Sequence, residues 1–494
     1  MRCTGGLSVA DKLQSHSIMS RRDFFRNSSL ALLGMTLPAV RSRAGQRIIT
    51  ADQLLAGKKA RNIIFMVSDG MSTGTLNMAS LLMQRREGRK SRWMQLYEEG
   101  QAVRALMDTA SASSLVTDSS AASSAWGGGV RVPNGAINVA KDGTHYKPIL
   151  QKFKAAGKAV GCVTTVPITH ATPAGFCISN SSRGDQSEIA MQYLPLKFDI
   201  MLGGGTEFFS ADKRKDKVDL FARYQSEGYT VLRERDQLMQ LKAQPGTPVL
   251  GVFYENGLPY SLDQLQDSQL QKQVPTLAEM TRQAIAHLQQ HKNGFVMQVE
   301  GGKVDWGAHS NDAGALLYDQ IAFDDAIKVA IDFAVADKET LVIMTTDHGN
   351  ANPGLFYSDQ ANAHFDQVGK FKHTNEWILS GVTKDYTPAK LIERVEVAQG
   401  IVITTEEART LLSHYETLDE TGLYNPRKLP YRQLAAIQSA YTSIGWGSMD
   451  HSGDYVELAM YGPGSELLKP FVKNTDLHYL MLEAAGMKST RIAG

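Results

Sequence analysis

Short apolar runs rich in β-branched residues recur along the chain, separated by stretches with helical periodicity. The clearest runs are 62–67, 159–165, 199–202, 294–299, 340–346 and 455–461. Near-continuous apolar strands alternating with amphipathic helices predict an α/β fold with a large, mostly parallel central sheet and helices on both faces. Three runs end on residues at odds with a core: the first is followed by Ser68-Asp69, the fourth by Glu300-Gly301-Gly302, and the fifth by Asp347-His348-Gly349. A single Asp-Gly marks a turn or a helix cap as readily as a site. Ligands of open α/β sheets bind beyond the carboxyl ends of the strands, so three strands each delivering a carboxylate there predict a shared site.

Two stretches depart from the sheet rhythm. Residues 206–275 are polar, with a hairpin-like piece at 249–259 around Asn256-Gly257. Residues 352–447 combine Gly- and Asn-rich loops with amphipathic segments at 388–397 and 406–415. Both are expected to be insertions or a cap over the sheet edge, and no internal repeat accompanies them.

The first 44 residues read differently again. Ser20-Arg21-Arg22-Asp23-Phe24-Phe25 precedes a weakly apolar stretch at 28–40 and then Arg41-Ser42-Arg43-Ala44. That order predicts a twin-arginine export signal, cleaved near the small residues Ser42 and Ala44. The apolar stretch is far shorter than the roughly 20 residues a membrane-spanning helix needs. Met19 is a candidate start. The expected partner is the twin-arginine machinery and the expected destination is the periplasm or the medium, with 45–494 as one α/β domain.

The 494 residues carry 52 Lys+Arg against 51 Asp+Glu, a net charge of +1. The leader holds seven of the basic and two of the acidic residues, so the exported part is mildly acidic, at −4. Nucleic-acid binding would need a basic footprint and is disfavoured. Cys162 and Cys177 remain after the leader and Cys3 are removed. They are too few for a disulfide scaffold, and either a pair or two small buried thiols fits them.

Candidate chemistry gathers in the same places. Asp305 and His309 lie one helical turn apart, at the entrance to a helix-like stretch running through Ala313 and Leu317, and both can reach one ion. Asp347 and His348 are adjacent at a strand end, and His451 is expected to open the last strand. With Asp69 and Glu300 as harder oxygen donors, the set suits zinc. Val116-Thr117-Asp118-Ser119-Ser120-Ala121-Ala122-Ser123-Ser124-Ala125 places a hydroxyl before a run of very small residues. The run suits a nucleophile at a helix N-terminus, where an anion is favoured. It equally suits a cap that only lets backbones pack closely.

In these motifs the chain resembles the alkaline phosphatases, from about Arg61 to Met487 and in the family's order. Val116-x-Asp118-Ser119-Ser120-Ala121-Ala122 is similar to the nucleophile signature, with Ser123 and Ser124 where Gly or Ala and then Thr are usual. Asp69-Gly70-Met71 resembles the bridging-aspartate segment, with Ser72 for a usual Gly. Thr172, in His170-Ala171-Thr172-Pro173-Ala174, matches a magnesium ligand, and Arg183 has the spacing of the phosphate-binding arginine.

The resemblance implies an enzyme that hydrolyses small phosphate monoesters through a phosphoserine on Ser119, with Arg183 as a planar clamp on the phosphate. It implies two zinc ions, one on Asp305, His309 and His451 and one on Asp69, Asp347 and His348. A magnesium ion on Asp69, Thr172 and Glu300 completes the set. Asp118, His170 and Trp306 are expected beside the site. His170 and Trp306 stand where some members have Asp and Lys, and a histidine beside an oxygen-rich site predicts that zinc or cobalt is accepted there too. A homodimer is implied, with 352–447 as a crown-like cap or a dimer contact.

Neither cysteine has the C-x-P-x-R context of a sulfatase, and no nucleotide-binding fingerprint is present. A phosphodiesterase of related fold and, from a different class, an inactive exported metal-binding protein are the rival readings.

Overall fold

The computed structural model describes residues 59–416, 428–488 and 490–491. The arginine-pair leader lies outside them. Ten strands make one sheet: β1 (Asn62–Val67), β2 (Val103–Asp108), β3 (Ala159–Pro167), β4 (Ile200–Gly204), β5 (Thr230–Leu232), β6 (Val249–Val252), β7 (Phe295–Glu300), β8 (Thr340–Thr345), β13 (Val456–Tyr461) and β14 (Phe471–Lys473). Two short ribbons use β9 (Gly349–Asn350), β10 (Gly354–Leu355), β11 (Ile444–Gly445) and β12 (His451–Ser452). The sheet order is β14-β2-β13-β8-β1-β7-β3-β4-β6-β5. Only β13, beside β2 and β8, runs antiparallel to its neighbours. The expected mostly parallel sheet, covered on both faces, is the fold.

Alternation along β1 shows why the run is continuously apolar. Ile64 and Met66 enter one core with Leu316, Phe323 and Ile327 of the helix Ala313–Asp337. Ile63, Phe65 and Val67 enter a second core with Trp126, Leu477 and Met481. Successive side chains of a strand point to opposite faces, so a strand covered on both faces must be apolar at every position. The six anticipated runs are strands, with ends shifted by no more than two residues.

Four strands of the sheet carry no such signal. β2 has Arg104 and Leu106 exposed, so its pattern alternates, and β5 and β14 have three residues each. β6 pairs in parallel with β4 and β5, so Asn256-Gly257 does not close a hairpin. Four fully buried residues at 249–252 meet the sheet on both flanks, and the chain after them turns into the helix Ser261–Gln264 instead of a returning strand. Residues 206–275 thus supply the edge strand β5 and its neighbour β6. The amphipathic segments near 388–397 and 406–415 are the helices Pro388–Gln399 and Thr405–Glu416, which bury Leu391, Val395 and Leu411 in the first core.

Cys162 and Cys177 are free and buried, with Sγ atoms 3.5 Å apart. Among the described residues no helix is long and apolar enough to cross a membrane.

Candidate active site

Four adjacent strands, β8-β1-β7-β3, deliver the site. Val67, at the end of β1, is in register with Glu300 of β7 and Thr345 of β8, and Glu300 with Thr164 of β3. Asp69, Glu300, Asp347 and His348 therefore leave one sheet edge together, and all four are fully buried. Gly70 makes the crowding tolerable: its φ is +63°, and a Cβ there would stand 2.4 Å from Asp305 Oδ1.

Asp305 and His309 occupy their own short helix, Lys303–His309, which stops before Asp312 caps the long helix Ala313–Asp337. Asn311 takes a positive φ of 45° in the break, so the stretch anticipated as continuous is two helices. His451 does not open β13. It lies in β12, which pairs with β9 so that His451 faces Asn350 and Ser452 faces Gly349. That two-residue ladder carries His451 to Asp347-His348, and the His348 and His451 rings stack 3.6 Å apart.

Three imidazoles are held in one tautomer. His309 Nδ1 donates to the Met449 carbonyl at 2.7 Å, His451 Nδ1 to Thr117 at 2.9 Å, and His348 Nδ1 to Gly349 at 3.3 Å. A carbonyl only accepts, so in the neutral ring the lone pair lies on Nε2. Yet His309 Nε2 and His451 Nε2 stand 3.0 Å apart, with Asp305 carboxylate oxygens 3.4 and 3.6 Å away. His348 Nε2 is 3.2 Å from Asp347 Oδ2 and 3.6 Å from Asp69 Oδ1. Lone pairs and carboxylates facing one another at these distances repel unless a cation stands among them.

The unpartnered atoms point the same way. Asp69 Oδ1, Asp347 Oδ2 and Glu300 Oε1 are buried without a hydrogen bond, a costly state in protein but the ordinary one for metal ligands. Asp347 Oδ1, by contrast, accepts from the backbone N–H groups of Gly70 and His348. Asp69 with Asp347 and His348, and Asp305 with His348 and His451, are each close enough to share an ion. Asp69, His170 and Glu300 form a third such group, and Thr172 Oγ1 donates to Asp69 Oδ2 at 3.3 Å. The donor set fits divalent cations, with imidazole and carboxylate for zinc and an oxygen-rich corner for a harder ion.

Electrostatics follow from four carboxylates in one pocket. Burial, reinforced by Asp347, Asp305 and Glu300, pushes the Asp69 carboxyl well above its usual range. Burial lifts Glu300 to about 8. Asp347 and Asp305 are held low despite burial, because histidines stand beside them. Burial, with His348 adjacent, brings His451 down to about 4, which keeps its Nε2 unprotonated near neutral pH.

Ser119 is the first residue of the helix Ser119–Gly128, and Asp118 is its N-cap, accepting from Ala121 N at 2.9 Å. Ser119 Oγ is buried 3.4 Å from His348 Nε2, so the hydroxyl meets the cluster directly. The small-residue run also packs: a Cβ on Gly127 would lie 1.9 Å from the Gly175 carbonyl oxygen of the helix Ala171–Cys177. The run therefore packs closely and also sets the Ser119 hydroxyl at the helix N-terminus, and the close approach brings Thr172 toward the cluster.

The Arg183 guanidinium spans two partners, Asp118 Oδ2 at 3.1 Å and His170 Nε2 at 3.2 Å. Arginine only donates, so His170 is neutral with its proton on Nδ1, and burial with Arg183 nearby lowers its pKa to about 3. Trp306 meets the His170 ring edge-on at 6.3 Å. A cavity of about 1000 Å³ opens over Ser119, Arg183, His170, Asp305, His309 and His451. Every residue proposed from the sequence lies in or beside this one cluster, and those assigned to separate ions are continuous with one another.

The family model for alkaline phosphatase matches residues 60–487. The chain belongs to the alkaline phosphatase family. It is similar to alkaline phosphatase 4 of Bacillus subtilis (strain 168), at 31% identity over 473 residues covering 93% of this chain and 97% of that protein. The alkaline phosphatase of Escherichia coli (strain K12) is 26% identical over 491 residues, covering 90% and 91%. The crystal structure of Thermus thermophilus alkaline phosphatase matches with a TM-score of 0.80 and 32% identity, covering 91% of this chain and 96% of that one.

Sequence reasoning about this alkaline phosphatase missed the groups that orient the ligands. Thr164 Oγ1 donates to Glu300 Oε2 at 2.5 Å, and Asn350 Nδ2 donates to Asp305 Oδ1 at 2.7 Å. Asn350 stands two residues after His348 and could have been noticed. Thr164 sits inside an apolar strand and gives no signal.

Proposed function

We propose that the enzyme hydrolyses small phosphate monoesters with Ser119 as nucleophile. The observation that carries this is the Ser119 hydroxyl at a helix N-terminus, 3.4 Å from His348 Nε2 and beside unpartnered carboxylate oxygens. Asp305, His309 and His451 would hold one zinc ion, Asp69, Asp347 and His348 a second, and Asp69, Thr172 and Glu300 a magnesium ion. Bound there, the cations supply the positive charge that lowers the serine's pKa and offsets charge on the entering and leaving oxygens. Ser119 Oγ attacks phosphorus in line, the O–P bond to the alcohol breaks, and the phosphoryl group is carried on Ser119 until water hydrolyses it. Arg183, already aimed by Asp118, donates two parallel N–H groups to phosphate oxygens. The helix N-terminus adds backbone N–H groups at the same place.

Arg183 supports monoesters over diesters, because a terminal phosphate leaves oxygens free for both donors. Purified enzyme supplied with zinc and magnesium should release phosphate from phenyl phosphate at alkaline pH, and do so much faster than from bis-aryl phosphate or aryl sulfate. No hydrolysis of the monoester would sink the reading. Ser119→Ala should abolish turnover with metal content intact, which also separates an enzyme from an inactive metal-binding protein.

His170 beside the third group supports a weakened preference for magnesium there, with zinc or cobalt accepted. Full activity on reconstitution with magnesium as the only third ion would count against it. The Arg21-Arg22 leader supports twin-arginine export to the periplasm or medium, and the family supports a homodimer. Retention in the cytoplasm of an Arg21→Lys, Arg22→Lys protein would test the first, and sedimentation the second.

A further inference from the structure

The helix Lys303–His309 offers more than its two metal-facing residues. Lys303 and Trp306, three residues apart, are neighbours on its surface, and both line the cavity that holds Ser119 and Arg183. Lys303 is 5% exposed. Its Nζ lies 3.6 Å from the Tyr260 ring centroid and 4.4 Å from that of Trp306. Among the described residues no hydrogen-bond acceptor and no carboxylate within 4 Å meets that ammonium, although Lys303 N is fixed by Thr165 Oγ1 at 3.0 Å. Aromatic faces partly offset the charge but accept none of its three N–H bonds in a directed way.

The carboxylates of the same cavity do not fill the role. Asp263 is occupied by Thr374 N at 3.1 Å, Thr374 Oγ1 at 2.7 Å and His373 Nδ1 at 3.1 Å. Glu376 lines the cavity without an ion pair to Lys303. A cavity of about 1000 Å³ is far larger than a phosphate group, so the alcohol half of a substrate shares it with Lys303.

We infer that Lys303 is a specificity-determining residue that recognises a second anionic group, a carboxylate or a second phosphate, on the leaving alcohol. The inference rests on the proposed phosphomonoesterase reading. An amine caged by Tyr260 and Trp306 presents its donors to such a group and gains the charge-assisted bonds it lacks.

The test compares kcat/KM for 4-carboxyphenyl phosphate, 1,4-phenylene bisphosphate and the neutral 4-carbamoylphenyl phosphate in the wild type, Lys303→Met and Lys303→Arg. The anionic-to-neutral ratio is independent of the fraction of enzyme that folds. One charge-assisted bond corresponds to about tenfold or more, so Lys303→Met should lower the ratio about tenfold for the carboxylate, the bisphosphate or both. Lys303→Arg should keep most of it, and the probe with the larger change identifies the anion. Glu376→Gln should leave the ratio within about twofold. An unchanged ratio in Lys303→Met, or its collapse in Glu376→Gln, overturns the inference. Failure of the wild type on all three esters would instead overturn the phosphatase reading.

Discussion

Removing the metals should make this protein lose stability as the pH rises toward the range in which it is proposed to act. Burial lifts the Glu300 carboxyl from its ordinary 4.5 to about 8, and Asp69 is also raised. A carboxyl raised in the folded state stabilises it fully below its unfolded pKa, and that contribution is lost as pH climbs to the folded pKa. The window therefore runs from about 4.5 to about 8. At about 1.4 kcal/mol per pH unit, Glu300 alone would cost the metal-free fold roughly 5 kcal/mol across it. Since Glu300 and Asp69 titrate as a set with Asp347, that figure belongs to the cluster. It remains a large share of the 5–15 kcal/mol that holds a typical domain together.

The assay is thermal unfolding of chelator-treated and of zinc- and magnesium-loaded protein between pH 5 and 8.5. Buried carboxyls elsewhere are also raised by burial, Asp312 and Asp319 to about 7 and Asp324 to about 6. They act equally in both samples, so the difference between the two curves isolates the site. Below pH 6.5 the depressed His451 and His170 gain stability as pH rises and offset the carboxyl loss, so the gap in Tm should widen between pH 6.5 and 8. Glu300→Gln, which removes the charge and keeps the shape, should flatten the metal-free curve. A gap that is constant or narrows from pH 6.5 to 8 would refute the reasoning.

Arg183→Lys replaces a fork of two donors by a point charge, so the inhibition constant for inorganic phosphate should rise about tenfold; a change under twofold would show that Arg183 does not hold the anion. His309→Ala removes one of the facing Nε2 atoms and should lower bound zinc by one ion per chain, read by atomic absorption, whereas full zinc content would show that Asp305 and His451 suffice. Gly175→Ala places a Cβ 2.2 Å from Ser123 Oγ. It should destabilise by about 2 kcal/mol and reduce turnover together, and an unchanged Tm would mean that the helices Ser119–Gly128 and Ala171–Cys177 part freely.

How far the sequence reveals this enzyme depends on whether a residue's surroundings are local. β1, β3, β7 and β8 are buried on both faces, so their positions are apolar throughout and stand out. β2 and β14 are neighbours at one side of the sheet and half exposed: β2 alternates over six residues and β14 has only three, so neither shows a continuous apolar run. Asn256-Gly257 is misleading for a related reason: the dipeptide permits a tight turn but does not supply the returning strand a hairpin needs. Gly257 instead lies against Trp306, where a Cβ would come within 2.8 Å of the indole. The candidate ligand residues were legible because Asp and His at strand ends are out of place in a core. Thr164 and Asn350, which orient those ligands, act through contacts 136 and 45 residues away.

Ser119 shows why a packing reading and a chemical reading of one motif need not compete. The helix Ser119–Gly128 sits near Thr172 only because Gly127 and Gly175 carry no side chain and Ser123 only a small one between the two backbones. Ser123 Oγ donates to the Ala171 carbonyl at 3.0 Å and Ser124 Oγ to Ser120 at 2.6 Å, so even the small polar residues inside the contact are satisfied. Asp118 ties this packing to the site. Its carboxylate accepts from Ala121 N, Gly135 N and Ser120 Oγ, which holds the helix start, and from Arg183, which aims the phosphate clamp. Burial disfavours the charge on Asp118, but Arg183 and these donors outweigh it and keep its pKa low. A larger residue at 123, 127 or 175 would therefore move Ser119 and Arg183 together. The spread of small residues well past Ser119 follows from that shared packing, because the reaction itself requires only the one hydroxyl.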